Sequence, residues 1–142
     1  MIEFKPATAD HIRSIDAQFE QLGEREFNIS RIDDLVANSL AISGWHNGKC
    51  IGAAGLQPIW SGRAAGWMLL GRDAGPIMVA IARRVRFFLA ACPVNRIEMT
   101  VRESFGEGCR LAALLGFRAE ARLLGFFPDG STAILYARIR HE

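Results

Sequence analysis

The chain predicts an α/β fold built on a mixed sheet, and three observations carry that reading. Gly66–Gly71 is continuously apolar (Trp67, Met68, Leu69, Leu70), as in a strand covered on both faces. A turn, a long helical pattern and a second strand pattern at Asn95–Val101 follow it. Such a unit closes as a right-handed crossover between parallel neighbours. Asn47-Gly48 stands between two strand-like runs, and both residues tolerate the positive φ of a tight antiparallel hairpin.

The elements follow in order. Ile2–Lys5 is a short strand ending at Pro6. Thr8 caps a helix whose apolar positions Ile12, Ile15, Phe19 and Leu22 keep helical spacing until Gly23. Ser30-Arg31-Ile32-Asp33 starts a second helix, continued by Leu35, Val36, Ser39 and Leu40. The hairpin runs Ala41–His46 and Lys49–Gln57, and Pro58–Ala64 reads as a loop. Arg72–Gly75 is a turn, and Pro76 opens a helix to Cys92 with an inward stripe of Met78, Ile81, Ala82, Val85, Phe88 and Leu89. Strand Asn95–Val101 places Ile97, Met99 and Val101 on one side and Glu98, Thr100 and Arg102 on the other. Glu107–Leu115 is a short helix closed by Gly116. A last hairpin, Arg118–Phe127 and Thr132–Arg140, turns at Pro128-Asp129-Gly130. The order is β-α-α-β-β-β-α-β-α-β-β, about seven strands and four helices in one domain, 1–142.

With half its residues apolar and 23% charged, the chain has a globular profile. A net charge of +2 is too small to argue for nucleic acid. Only Lys5 and Lys49 among the basic residues are not arginine. Arginine forks phosphates and carboxylates well, and a GC-rich coding sequence produces the same bias. Cys50, Cys92 and Cys109 lack metal-ligand spacing and read as free, largely buried thiols. No signal peptide is apparent at Met1–Pro6, and Arg83, Arg84 and Arg86 interrupt the most apolar segment. The expectation is a cytoplasmic protein with no membrane, nucleic-acid or metal partner.

The element order, the opening Ile2-Glu3-Phe4-Lys5-Pro6-Ala7-Thr8 and the Leu115-Gly116-Phe117 signature before two antiparallel strands resemble the GNAT superfamily of N-acyltransferases over nearly the whole chain. Small phage-encoded GNAT-like proteins, some of them virion-associated, are similar in style. The resemblance implies acetyl-CoA as co-substrate and an amine acceptor, small molecule or peptide. In that family the loop after the central strand reads Arg/Gln-x-x-Gly-x-Gly/Ala. Arg72 and Gly75 keep the pattern, Pro76 removes a donor, and Ile77 replaces a small residue. The resemblance puts the amides of Ile77, Met78 and Val79 at the pyrophosphate and the backbone of Leu69 and Leu70 along the pantetheine arm. The other reading is a plain strand-to-helix turn in which Gly75 relieves strain.

Acyl transfer to an amine needs a proton acceptor, donors for the oxyanion and a proton for the leaving thiolate. Glu98, on the polar side of its strand, and Glu103, just past the strand's end, are the candidate bases; both also read as carboxylates paired with Arg96 or Arg102. Ser104 is a candidate donor or merely begins the next helix. By resemblance, Ala112 occupies the usual tyrosine position and Phe105 the usual asparagine. Tyr136, the only tyrosine, reads as core. Trp67 also reads as core, whereas Trp60 lines a substrate groove or a protein interface, with Arg63 beside it suited to an anionic partner, or is a loop anchor packed on the sheet. Two functions follow: an acyl-CoA-dependent N-acyltransferase, or a non-catalytic binding or assembly module, phage-associated, with a homodimer or virion proteins as partners. A third, nucleic-acid binding through Arg83, Arg84 and Arg86, is the weakest, because the pattern offers no aromatic platform on the same side and the chain is barely basic.

Overall fold

The computed structural model describes residues 2–15 and 32–140. Phe19, Leu22, Gly23, Ser30 and Arg31 lie outside the described residues. The described elements are β1 (Glu3–Pro6), α1 (Ala9–Ser14), α2 (Ile32–Ala37), β2 (Leu40–His46), β3 (Lys49–Trp60), β4 (Arg63–Leu70), a 3-10 turn (Arg72–Ile77), α3 (Met78–Ala91), β5 (Arg96–Arg102), α4 (Gly106–Leu114), β6 (Arg118–Leu123) and β7 (Ala133–Ile139). They form a seven-stranded mixed sheet in the order β1-β2-β3-β4-β5-β7-β6. Strands β4 and β5 pair in parallel through Arg63↔Arg96, Ala64↔Ile97 and Ala65↔Glu98, whereas β5/β7 and β7/β6 are antiparallel. None of the described helices is long and apolar enough to cross a membrane.

The chain divides into two compact units, Met1–Pro58 with Gly66–Met78, and Ile59–Ala65 with Val79–Glu142. Strands β3 and β4 each contribute residues to both.

In the first unit, Asn47 (φ 52°) and Gly48 (φ 76°) make the two-residue turn that pairs β2 with β3. Ile12, Ile15, Ile32, Cys50 and Ala53 form a buried cluster on which Trp45, Trp67 and Leu69 pack. The sheet accepts the Trp67 ring because Gly55 has no side chain: a Cβ there would lie 2.7 Å from the ring. Trp67 is half-buried rather than enclosed, and its Nε1 donates to Ser39 Oγ (3.1 Å). Thr8 caps α1 reciprocally with His11, whose backbone N–H donates to Thr8 Oγ1 (3.2 Å) while the Thr8 N–H donates to His11 Nδ1 (3.3 Å). The same Nδ1 lies 3.0 Å from the hydroxyl of buried Ser43, which accepts from Trp45 Nε1 (3.0 Å). His11 is therefore part of a polar network rather than isolated.

In the second unit the core gathers Ile97, Val101, Phe105, Leu111, Ala112 and Tyr136. Here the α-helical stripe is narrower than its spacing suggests. Ile81, Ala82 and Leu89 of α3 are buried, but Phe88 is 47% exposed. The expected loop Pro58–Ala64 is instead a tight hairpin: β3 continues through Trp60, Ser61-Gly62 turn with Gly62 at φ 87°, and β4 begins at Arg63. The last hairpin has shorter arms than expected, because the segment after Leu123 folds on itself. Gly130 N–H donates to Phe127 O (2.8 Å), and Arg102 lies over the Phe127 ring while bonding Asp129 and Ser131.

Candidate functional site

The expected site residues fall into two groups, one in each unit. Leu69, Leu70, Arg72, Gly75, Ile77 and Met78 belong to the first unit; Val79, Glu98, Glu103 and Ser104 belong to the second.

In the first group the chain leaves β4 at buried Gly71, whose N–H donates to Ile51 O (2.7 Å). It enters a 3-10 turn over Arg72–Ile77, where the sequence predicts a turn over Arg72–Gly75 and a helix from Pro76. Ala74 is wholly buried, and its N–H donates to Gly71 O (3.1 Å). The Met78 N–H donates to Gly75 O. A helical run that starts at Arg72 spends this amide on its own carbonyl, so the Met78 N–H does not present itself to an anion. Gly75 has no positive φ, which removes strain relief as its reason. It is exposed, and a Cβ there would meet nothing within 4 Å. Gly75 therefore leaves room for close approach, with exposed Arg72 supplying a guanidinium on the same turn. The expected diphosphate site thus keeps an open approach at Gly75 and loses the Met78 amide. Leu70 is buried, and Gly52 on β3 makes room for it: a Cβ at Gly52 would lie 3.2 Å from the Leu70 side chain.

In the second group Glu98 anchors a chain of charges across the sheet. Arg63 Nε and Nη2 donate to its two oxygens at 2.8 Å each, and Arg96 Nε adds a third bond at 2.7 Å. Arg96 then forks onto Glu120 (2.6 and 3.0 Å). Arg63, and after it Arg96, hold the Glu98 carboxyl down at about 2. A carboxylate engaged this way is a weak proton acceptor. The pairing with Arg96 follows from their positions two apart on one strand. Arg63 and Glu120 were not identified from sequence, because cross-strand register is invisible there. Trp60 is 63% exposed and lies under the Arg63 guanidinium at 4.4 Å, so that arginine's anion is internal.

Glu103 follows β5 in an exposed turn. It accepts from Arg122 Nε (2.5 Å) and Nη2 (2.9 Å), and that arginine lowers its pKa. Its partner is thus on β6, rather than Arg96 or Arg102. Ser104 is exposed in the same turn, which Phe105 N–H closes onto Arg102 O (2.9 Å). The helix cap is Phe105, without a side-chain bond, so Ser104 does not cap α4. Ala112 is wholly buried and Phe105 nearly so. The Phe105 ring covers Gly108, where a Cβ would lie 2.5 Å away. Tyr136 is core, and burial, with Cys109 beside it, pushes its hydroxyl up to about 12. Cys50, Cys92 and Cys109 are free, and only Cys50 is fully buried. Among the described residues no group of three or more His, Cys, Asp or Glu could hold a metal.

No family model matches the chain, and no curated protein matches it in sequence. Solved structures do match. The ribosomal-protein-S18-alanine N-acetyltransferase from Escherichia coli superposes with a TM-score of 0.73 at 19% identity, covering 98% of this chain and 94% of that one. An N-acetyltransferase from Staphylococcus aureus Mu50 gives 0.74 at 12% identity, covering 99% of each. A GNAT superfamily phosphinothricin acetyltransferase from Sinorhizobium meliloti, in complex with AcCoA, gives 0.70 at 15% identity, covering 97% of this chain and 88% of that one. The fold is that of the GNAT N-acetyltransferases.

Proposed function

We propose that this chain is an acyl-CoA-dependent N-acyltransferase with acetyl-CoA as the donor. The observation that carries the reading is superposition on N-acetyltransferases over nearly the full length of both chains, one of them in complex with AcCoA. The amine nitrogen attacks the thioester carbonyl, an oxyanion forms and collapses, and the CoA thiolate leaves and takes up a proton. Arg72 and the open backbone at Gly75 take the diphosphate, and the backbone of Leu69 and Leu70 runs along the pantetheine arm. The amides of Ile77 and Val79, which the resemblance also puts at the diphosphate, lie in the same helical run as Met78 and are left out of this grip.

Of the carboxylates, Glu103 is the better base. It is exposed and answers to one arginine, whereas Glu98 is held by two. Glu98 serves instead as the counter-ion that fixes Arg63 and Arg96. Ser104 or water supplies the proton to sulfur, since Tyr136 is buried.

The test is a thermal shift with acetyl-CoA at about 1 mM, where a ligand of ten-micromolar affinity adds roughly 2.7 kcal/mol. An upward shift that Arg72→Ala reduces supports the reading, and no shift at that concentration removes it. A second reading, a GNAT-folded module without catalysis, is favoured by the spent Met78 amide and by apolar Phe105 and Ala112 in the core. It predicts a closed cofactor cleft, and so neither a thermal shift with acetyl-CoA nor thiol release in the presence of any amine.

A further inference from the structure

The near-neutral whole chain conceals an imbalance. The unit Ile59–Ala65 with Val79–Glu142 carries eleven arginines and no lysine against six acids. Four of those acids, Glu98, Glu103, Glu120 and Asp129, are already in ion pairs. Helix α3 belongs to this unit, all but its first residue, and contains no acid in its fourteen residues. Its apolar side is spent inward on Ile81, Ala82 and Leu89. Turned outward are Arg83, Arg84 and Arg86, with Phe87 75% exposed among them.

At about 100° per residue, Phe87 lies within roughly 60° of Arg83 and Arg84 about the helix axis. Arg83 and Phe87 are also four apart, and hence neighbours on the surface. An aromatic platform therefore does share a face with the arginines, which the sequence pattern alone had not suggested.

We infer that this outward face of α3 binds single-stranded nucleic acid, with Arg83 and Arg86 on phosphates and one base stacked on Phe87. Guanidinium groups fork phosphate oxygens, and an exposed ring offers a base its π-face at little cost in ordering. A duplex keeps its bases stacked inside, out of reach of a ring on a convex helix. A lipid surface fits less well. Val79, Phe87 and Phe88 are separated around the helix by Arg83 and Arg84, so no unbroken apolar arc of about 100° faces out.

The experiment is fluorescence anisotropy of a fluorescein-labelled oligouridylate titrated with the full chain, repeated over a range of salt. Saturable binding is expected, weakening with salt. The double variant Arg83→Ala, Arg86→Ala lowers the log–log salt slope by about 0.7 for each phosphate it no longer neutralises. Phe87→Ala and Phe87→Leu each weaken binding about tenfold or more, because leucine restores bulk but not the ring. Phe87 is mostly solvated, so both variants fold, as circular dichroism will show. Any of three results overturns the inference: no saturable binding, Phe87→Leu binding as tightly as wild type, or capture by phosphatidylglycerol-containing vesicles in place of the oligonucleotide.

Discussion

Glu98→Gln isolates the charge chain that spans the sheet of the second unit. The substitution keeps the shape and removes the negative charge, leaving Arg63 and Arg96 as neighbours in register without their shared anion. The carboxyl sits at about 2 against an ordinary 4.5. At full value a drop of that size is worth about 3 kcal/mol. The side chain retains 15% exposure and Arg63 retains 28%, so water screens part of it. About 1–2 kcal/mol is the expected cost at neutral pH, once screening is allowed for. Because the folded-state value is depressed, this stability is fully present above about pH 4.5 and is lost as pH falls toward 2. Urea melts of both proteins between about pH 7 and pH 3 measure the difference, which shrinks below about pH 4.5 as Glu98 of the unfolded wild-type chain takes up a proton while the folded one stays ionised. A difference that stays constant with pH would show that the carboxylate contributes shape and not charge, refuting the electrostatic reasoning.

Three further outcomes follow from packing and capping. Gly55→Ala places a methyl 2.7 Å from the Trp67 ring and costs about 1–3 kcal/mol, read as a lower urea midpoint with a shift in tryptophan emission. Ile97→Ala, at a fully buried position, costs about 2–5 kcal/mol in the same melts, while Ile97→Val costs about 0.5–1.5. Thr8→Ala removes the acceptor for the His11 N–H and costs about 1 kcal/mol, read as faster amide exchange in α1.

What the sequence revealed and what it hid divides along physical lines. The Asn47-Gly48 hairpin was legible because two consecutive positive φ values admit few residue pairs. The Ser61-Gly62 turn was not, because Pro58 reads as a breaker even though proline stands in a strand where no amide is required of it. Helical spacing cannot distinguish six residues of 3-10 winding from the start of an α-helix, which hid the fate of the Met78 amide. The same spacing assigned Phe88 to the core, yet α3 buries a narrower stripe. Thr8 was legible as a cap, but its reciprocal partner His11 was not, because a capping box ordinarily shows glutamate or glutamine at that place. Glu98 was found as a functional candidate from its polar side of the strand. Its bidentate partner Arg63 lies 35 residues away in sequence and becomes visible only through the β4–β5 register.

Hydrogen exchange read by mass spectrometry, with and without acetyl-CoA, probes the proposed diphosphate grip at the backbone that would make it. Peptides covering the end of β4 and the 3-10 turn, residues 69–79, are predicted to exchange more slowly with acetyl-CoA, while β7 is unchanged. Unaltered exchange across 69–79 at saturating acetyl-CoA, or protection confined to some other segment, would refute that grip and with it the acyltransferase reading.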